Sequence, residues 1–117
     1  MIVDDDDFVR EVLAAQLEAV GFATLVASSG AEAIALLESG ESVDVLISDL
    51  AMPGINGIET IQRARVLRSR MPCFLVTGYA SDQAAPAEAG IFTLLRKPVS
   101  ADTLARHIEA AVRATRE

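Results

Sequence analysis

The chain has 117 residues, of which 51% are hydrophobic and only 4% aromatic, and its formal net charge is −7. A chain of this length builds one hydrophobic core, filled here mainly by aliphatic side chains. The negative charge argues against general binding to nucleic acid phosphates or anionic lipid, and it favours a divalent cation or a basic partner. No apolar run reaches the roughly 18 residues of a membrane span, and the single cysteine, Cys73, excludes an internal disulfide. We therefore expect a soluble, cytoplasmic domain without membrane insertion or direct nucleic acid contact.

The first half of the chain predicts three strands alternating with two helices. Ile2 and Val3 form an apolar strand end that runs directly into four aspartates. A short strand is predicted over residues 24–27, and Ser29 and Glu32 have the spacing of a capping box that opens a second helix. Residues 43–48 are almost continuously apolar, which is typical of a central strand covered on both faces, and they end at Asp49. Before the second strand, apolar residues at helical spacing predict a first helix that ends at Gly21: Phe8, Val9, Val12, Leu13, Leu17 and Val20.

The second half continues the same alternation. A turn at Pro53 and Gly54 precedes a helix from Ile58 onward, whose outer face is basic and which ends before Pro72. Residues 73–76 predict a buried strand that ends at Thr77 and Gly78. Residues 80–90 are rich in alanine and contain Pro86, so the fourth helix should be short or irregular. Residues 92–95 predict a fifth strand followed by Arg96, Lys97 and Pro98, and Ser100 then caps a last helix.

Five strands alternating with five helical segments predict a three-layer α/β sandwich with a parallel sheet. Ligands bind such sheets at the carboxyl ends of the strands. The polar residues that follow or end the strands are Asp4, Asp5, Asp49, Thr77 and Lys97. Carboxylates in one place repel one another unless a cation such as Mg²⁺ neutralises them, and a carboxylate can also act as a nucleophile toward phosphorus. Taken singly, each residue fits an ordinary role equally well: a helix cap, a strand threonine or a solvated lysine.

The whole set resembles the receiver domain of two-component response regulators. The matching motifs are Val3-Asp4-Asp5, residues 44–49 followed by Met52-Pro53-Gly54 and Gly57, Val76-Thr77-Gly78, and Lys97-Pro98. The resemblance implies that residues 1–117 form one receiver domain. It also implies a flavodoxin-like fold with strand order 2-1-3-4-5.

The resemblance implies a phosphorelay function centred on Asp49. This residue would accept a phosphoryl group from a phosphohistidine on a sensor histidine kinase or a histidine phosphotransfer protein. Asp5 would bind Mg²⁺, or Mn²⁺ in its place, directly and Asp4 through water, while Asp49 and the carbonyl of Ala51 complete the protein ligands. Thr77 and Lys97 would contact the phosphoryl group. Such a domain is not a turnover enzyme, although it catalyses its own phosphorylation and dephosphorylation.

Several residues depart from the family pattern. Leu94 stands where receivers commonly have an aromatic switch residue, and Arg96 is a candidate contact on the face used for output. Ala51 and Tyr79 flank the approach of a hydrolytic water, and we expect Tyr79 to shield the phosphoryl group partly. The departures favour a receiver from a hybrid histidine kinase or one acting alone, and they leave a homodimer open.

Three other functions fit the sequence less well than a phosphoacceptor does. An unphosphorylated interaction module with the same fold would not need the complete set of acids, Thr77 and Lys97. A metal-dependent phosphatase usually has a second acid two residues after its nucleophile, where this chain has Ala51. A flavin-binding domain would need a phosphate-binding loop after the first strand, and this chain has aspartates there.

Overall fold

The computed structural model describes residues 1–78 and 92–116, which form five strands and four helices. The predicted helical segment at residues 80–90 and its Pro86 lie outside the described residues. Among the described helices, none combines the length and the hydropathy needed to cross a bilayer. In chain order the elements are β1 (Ile2–Val3), α1 (Asp7–Ala19), β2 (Val26–Ala27), α2 (Gly30–Glu38), β3 (Leu46–Asp49), α3 (Gly57–Leu67), β4 (Cys73–Thr77), β5 (Thr93–Arg96) and α4 (Ala101–Arg116).

The five strands form one parallel sheet in the order β2-β1-β3-β4-β5. Ile2 of β1 lies opposite Val26 of β2 and Ile47 of β3. The predicted α/β class and the flavodoxin-like strand order are therefore confirmed. Because the strands are parallel, their carboxyl ends lie along the same edge of the sheet.

Alternate residues of the central strands supply the two halves of the hydrophobic core. One half joins α2 and α3 to one face of the sheet and contains Val3, Leu46 and Leu75. The other half joins α1 and α4 to the opposite face and contains Ile2, Ile47 and Val76. The sheet is thus covered on both faces, as the near-continuous apolar pattern of β3 predicts.

The predicted apolar stripe of α1 is only partly buried. Leu17 is buried and Leu13 half-buried, but Phe8 is 75% exposed, and Val9 and Val12 are 38% exposed each. The apolar spacing thus predicted the helix correctly but did not reveal that its first two turns are largely exposed. Because α1 begins four residues after β1 ends, these turns lie at the edge of the sheet, where strand residues no longer cover them.

Three strands begin later than the sequence predicts, and two of these three also end one residue later. The predicted strands over residues 24–27 and 43–48 are observed as Val26–Ala27 and Leu46–Asp49, and the strand predicted over 92–95 is Thr93–Arg96. Asp49 is consequently the last residue of β3 and not the residue after it. An apolar pattern predicts that residues are buried, whereas assignment to a strand also requires hydrogen bonds to a neighbouring strand. β1 offers only two residues for pairing with β2 and β3.

The helix caps differ from the prediction in one place. The Ser29 hydroxyl accepts a hydrogen bond from the backbone N–H of Glu32, as expected, but the Glu32 carboxylate accepts the N–H of Ser28 instead of that of Ser29. A complete capping box, which the sequence analysis missed, opens α3 at Asn56 and Glu59. Its signal in the sequence is the Asn-x-x-Glu spacing.

Candidate functional site

Three carboxylates meet at the carboxyl edge of the sheet. β1 and β3 are neighbours with Val3 opposite Ser48, so the residues that follow these two, Asp4 and Asp49, lie side by side. Carboxylate oxygens of Asp4, Asp5 and Asp49 all lie within 4.8 Å of one another. Asp4 is buried, Asp5 is exposed and Asp49 is half-buried, so the cluster opens to solvent on one side. The structure thus brings together the three acids that the sequence predicted to converge.

Asp4 is held tightly at the inner end of this cluster. Its N–H donates to the carbonyl of Ala27 at 3.2 Å, and its Oδ1 accepts the N–H of Asp6 at 2.9 Å. Burial raises the pKa of the Asp4 carboxyl, and the nearby Asp49 and Asp5 raise it further, whereas the Asp6 hydrogen bond and Lys97 lower it. A divalent cation would relieve the cost of this buried charge, and a site with only oxygen donors suits Mg²⁺ or Mn²⁺.

Lys97 supplies the cation that faces the acids. Its Nζ lies 2.9 Å from Oδ1 of Asp49, with 41% of the Lys97 side chain and 13% of the Asp49 side chain exposed. The Lys97 N–H donates to the carbonyl of Thr77 at 2.8 Å, which fixes the chain just beyond β5. Burial lowers the pKa of the Lys97 ammonium, but the hydrogen bond and charge of Asp49, with the charges of Asp4 and Asp5, raise it more. The ammonium therefore stays charged beside Asp49 at neutral pH.

Thr77 lies on the same edge, as the last residue of β4. It is 3% exposed, and its neighbour Val76 is directly opposite Asp49 in the sheet. Thr77 is therefore one residue beyond the level of Asp49 on the adjacent strand. The five residues collected from the strand ends, Asp4, Asp5, Asp49, Thr77 and Lys97, all lie at this edge.

The loop after β3 is anchored at its beginning and at its end. The N–H of Leu50 donates to the carbonyl of Val76 at 3.0 Å, and the N–H of Gly57 donates to the carbonyl of Leu50 at 2.9 Å. Ala51 is exposed between these anchors. At Gly57 a Cβ atom would come far inside van der Waals contact with the carbonyl oxygen of Asp49. In the sequence Gly57 belongs to the motif that resembles receiver domains, and the structure gives a packing reason for it, since a side chain here would collide with the Asp49 backbone.

The residues predicted for output, Leu94 and Arg96, both lie on β5. Leu94 is half-buried and packs against the core beneath α2 and α3, and Arg96 is exposed on β5. Tyr79 lies outside the described residues.

Arg10 is a residue of the site that sequence reasoning passed over. One guanidinium nitrogen, Nη1, donates to the backbone carbonyl of Asp4 at 2.8 Å, and Nη2 forms an ion pair with Asp7. Only 12% of the Arg10 side chain is exposed. Its spacing from Asp7 predicts an ordinary pair on a helix surface, and nothing in the sequence indicates the bond to Asp4.

Comparisons with known proteins point to one family. The model for the response regulator receiver domain matches residues 1–109. Transcriptional regulatory protein GlrR of Escherichia coli (strain K12) is 33% identical over 114 residues, which are 96% of this chain and 26% of that protein. Sensor histidine kinase RcsC of Salmonella typhimurium is 34% identical over 106 residues, which are 89% of this chain and 11% of the kinase. The chain therefore spans about a quarter or less of the length of these curated relatives.

Solved structures agree with the sequence matches. A response regulator receiver domain protein from Clostridium thermocellum superposes with a TM-score of 0.90 at 28% identity, covering 98% of this chain and 94% of that one. The receiver domain of the hybrid histidine kinase CckA superposes with a TM-score of 0.80 at 34% identity, covering 95% of each chain. With the matching family model and the observed strand order, these similarities show that the chain belongs to the response regulator receiver domain family of two-component signalling.

Proposed function

We propose that residues 1–117 act as one phosphoacceptor domain in the cytoplasm, which takes a phosphoryl group from a phosphohistidine onto Asp49. The donor is a sensor histidine kinase or a histidine phosphotransfer protein, since receiver domains generally partner with these proteins. The observation that carries the proposal is the pairing of the Asp49 carboxylate with Lys97 at 2.9 Å inside the three-acid cluster. A nucleophilic carboxylate, an ammonium and a set of oxygen ligands for a cation are the groups that this transfer requires.

The transfer is a displacement at phosphorus. An oxygen of the Asp49 carboxylate forms a bond to phosphorus, the bond from phosphorus to the donor imidazole nitrogen breaks, and the leaving imidazole takes a proton from water. Asp4, Asp5 and Asp49, with the carbonyl of Ala51, would hold Mg²⁺. When bound, Mg²⁺ offsets the negative charge that the acids and the phosphoryl oxygens bring together. Mn²⁺ has the same preference for oxygen ligands and would substitute.

Thr77 and Lys97 then stabilise the product. The Lys97 ammonium is already beside Asp49, so it needs only a local change to pair with a phosphoryl oxygen on the same carboxylate. Thr77 lies one residue beyond the level of Asp49 on the adjacent strand, where its hydroxyl would reach another phosphoryl oxygen. Leu94 removes the usual aromatic from the switch position, so coupling to output in this chain relies on other side chains such as Arg96.

The exposed start of α1 is suited to receive the phosphohistidine donor. Phe8, Val9 and Val12 line a groove of about 570 Å³. Asp49 and Lys97 line the same groove. A donor that packs against these apolar side chains would bring its histidine to the edge where Asp49 opens to solvent. Phe8→Asp should therefore slow transfer from a phosphorylated kinase domain that labels the native chain, while leaving labelling by acetyl phosphate unchanged. The matched control is Val66→Asp, because Val66 is 84% exposed near the C-terminal end of α3, away from the acids.

Incubation with acetyl phosphate and Mg²⁺ followed by intact mass measurement tests the proposal as a whole. The native chain should gain the mass of one phosphoryl group and Asp49→Asn should not. Asp44→Asn is the matched control, because Asp44 is an exposed acid before the amino end of β3 and should leave labelling intact. If neither acetyl phosphate nor phosphorylated kinase domains label the native chain, it acts as an unphosphorylated interaction module instead.

A further inference from the structure

We infer that Arg10 is a positioning residue for the cation site, because it holds the backbone that carries Asp4 and Asp5. The inference rests on the proposed function, since it concerns the affinity of the acid cluster for Mg²⁺. It assigns no chemical step to Arg10, whose side chain contacts main chain and not the carboxylate of Asp4 or Asp5.

The contact with Asp4 is at the peptide group between the two acids. Nη1 of Arg10 donates to the Asp4 carbonyl oxygen at 2.8 Å, and this carbonyl belongs to the peptide that links Asp4 to Asp5. In the preceding peptide group, between Val3 and Asp4, the Asp4 N–H donates to the carbonyl of Ala27 at 3.2 Å. The Asp4 carboxylate is in turn held by the N–H of Asp6 at 2.9 Å. Arg10 thus fixes the orientation of the peptide from which the exposed Asp5 projects.

Arg10 is itself held in a fixed place by α1. Its N–H donates to the carbonyl of Asp6 at 3.0 Å in the first turn of the helix, and Nη2 pairs with Asp7. Most of the Arg10 side chain is covered, with 12% of it exposed, although its partner Asp7 is 80% exposed. Burial of a charged group is costly unless its hydrogen bonds are made, and the planar fork of arginine makes two here at once.

Two possible roles of Arg10, as a positive charge or as a residue that holds the Asp4–Asp5 peptide, predict opposite effects of its removal on Mg²⁺ affinity. Arg10 carries a positive charge close to a site that should bind a cation, so its charge alone weakens Mg²⁺ binding. If Arg10 acts only through its charge, its removal tightens Mg²⁺ binding. If Arg10 acts by holding the Asp4–Asp5 peptide, its removal weakens Mg²⁺ binding, because metal affinity depends on groups that orient the ligands.

The test compares Mg²⁺ affinity in the native chain, Arg10→Lys and Arg10→Gln by calorimetric titration at constant ionic strength. We expect both substitutions to raise the Mg²⁺ dissociation constant by about 10-fold, the lower end of the effect seen for groups that orient metal ligands. Arg10→Lys keeps the charge and loses the planar fork, so its effect reports position alone. Thermal unfolding in excess chelator measures the stability of each variant without metal.

Asp7→Asn is the matched control. Asp7 is 80% exposed, and the substitution removes its charge while leaving the bond from Arg10 to the Asp4 carbonyl in place. Mg²⁺ affinity should stay within about 2-fold of the native value, since an exposed ion pair contributes little. A loss of affinity in Asp7→Asn as large as that in Arg10→Lys would assign the effect to charge and overturn the inference.

Other outcomes also decide the matter. Tighter Mg²⁺ binding by Arg10→Gln shows that Arg10 acts as a charge, and an unchanged dissociation constant with a lowered melting temperature shows that it only stabilises the fold. Failure of both Arg10 variants to fold would likewise show that Arg10 only stabilises the fold. A native chain that binds no Mg²⁺ overturns the proposed function as well, whereas equally tight binding by native chain and Arg10→Lys overturns only the role of Arg10.

Discussion

Substitution of Gly57 by alanine tests how the loop after β3 holds the Asp49 backbone. Gly57 is the first residue of α3, and its N–H donates to the carbonyl of Leu50 at 2.9 Å. An added Cβ would lie 2.6 Å from Cδ1 of Leu75 and still closer to the carbonyl oxygen of Asp49. The methyl group therefore requires the Asp49 backbone or the start of α3 to move by about 1 Å to restore ordinary contact distances.

The expected cost follows from this geometry. Overpacking of a buried position costs about 1–3 kcal/mol, and the higher helix propensity of alanine returns less than about 1 kcal/mol. We therefore expect a loss of about 2 kcal/mol in the free energy of unfolding, which lowers the melting temperature by roughly 8 °C in a domain of this size. Because a displacement of about 1 Å can cost up to roughly 100-fold in rate, phosphorylation of Asp49 by acetyl phosphate should slow by roughly 10-fold or more.

Gly30→Ala provides the matched control, measured by the same thermal unfolding and labelling assays. Gly30 is also buried and is the first residue of its helix, α2, but its Cβ would meet side-chain atoms of Thr60 and Ile55. These atoms can move without displacing Asp49, so Gly30→Ala should lower the melting temperature and leave the phosphorylation rate near the native value. Native stability and rate in Gly57→Ala, or an equal loss of rate in both variants, would refute the reasoning.

Three further predictions concern charge. Asp5→Asn should abolish the rise in melting temperature that Mg²⁺ produces in the native chain, and an equal rise in both proteins would contradict the assignment of Asp5 as a ligand. Lys97→Met should increase that rise, because Mg²⁺ then becomes the principal cation facing Asp49; thermal unfolding with and without Mg²⁺ measures it. In a polypeptide prepared to begin at Met1 with a free amino group, that group donates to the carbonyl of Val45 at 2.6 Å, and burial lowers its pKa from 8.0 to about 6. Between pH 8 and pH 6 the unfolded chain takes up this proton first, so the free energy of unfolding should fall by about 2–3 kcal/mol on acidification, and acetylation of the amino group should remove that dependence in urea titrations.

The strand-end residues were predictable because the fold is a parallel α/β sheet. Apolar runs that end at Asp49, Thr77 and Lys97 mark where strands stop, and parallel connections place those ends on one edge whatever the details of packing. The convergence of Asp4 with Asp49 on one edge was therefore expected from the strand ends, whereas the order of the strands was implied only by the resemblance to receiver domains. The same reasoning placed Lys97 beside the acids, because it follows the fifth strand.

Only the tertiary structure decided some of the contacts at the site. The residues that make them have sequence patterns that predict nothing more than a helix face, a surface ion pair or a turn. Helical periodicity placed Phe8 on the apolar side of α1, but burial also needs a covering strand, and the sheet ends before that turn. Arg10 has the spacing of a surface ion pair, yet the fold turns its guanidinium onto the Asp4 carbonyl. Gly57 is a turn residue in the sequence, and the fold packs it against the Asp49 backbone. Local pattern thus determined which strand-end residues reach the site, because periodicity and chain connectivity are properties of the sequence. Three-dimensional packing determined how they are held there, because it depends on which distant atoms fill the neighbouring space.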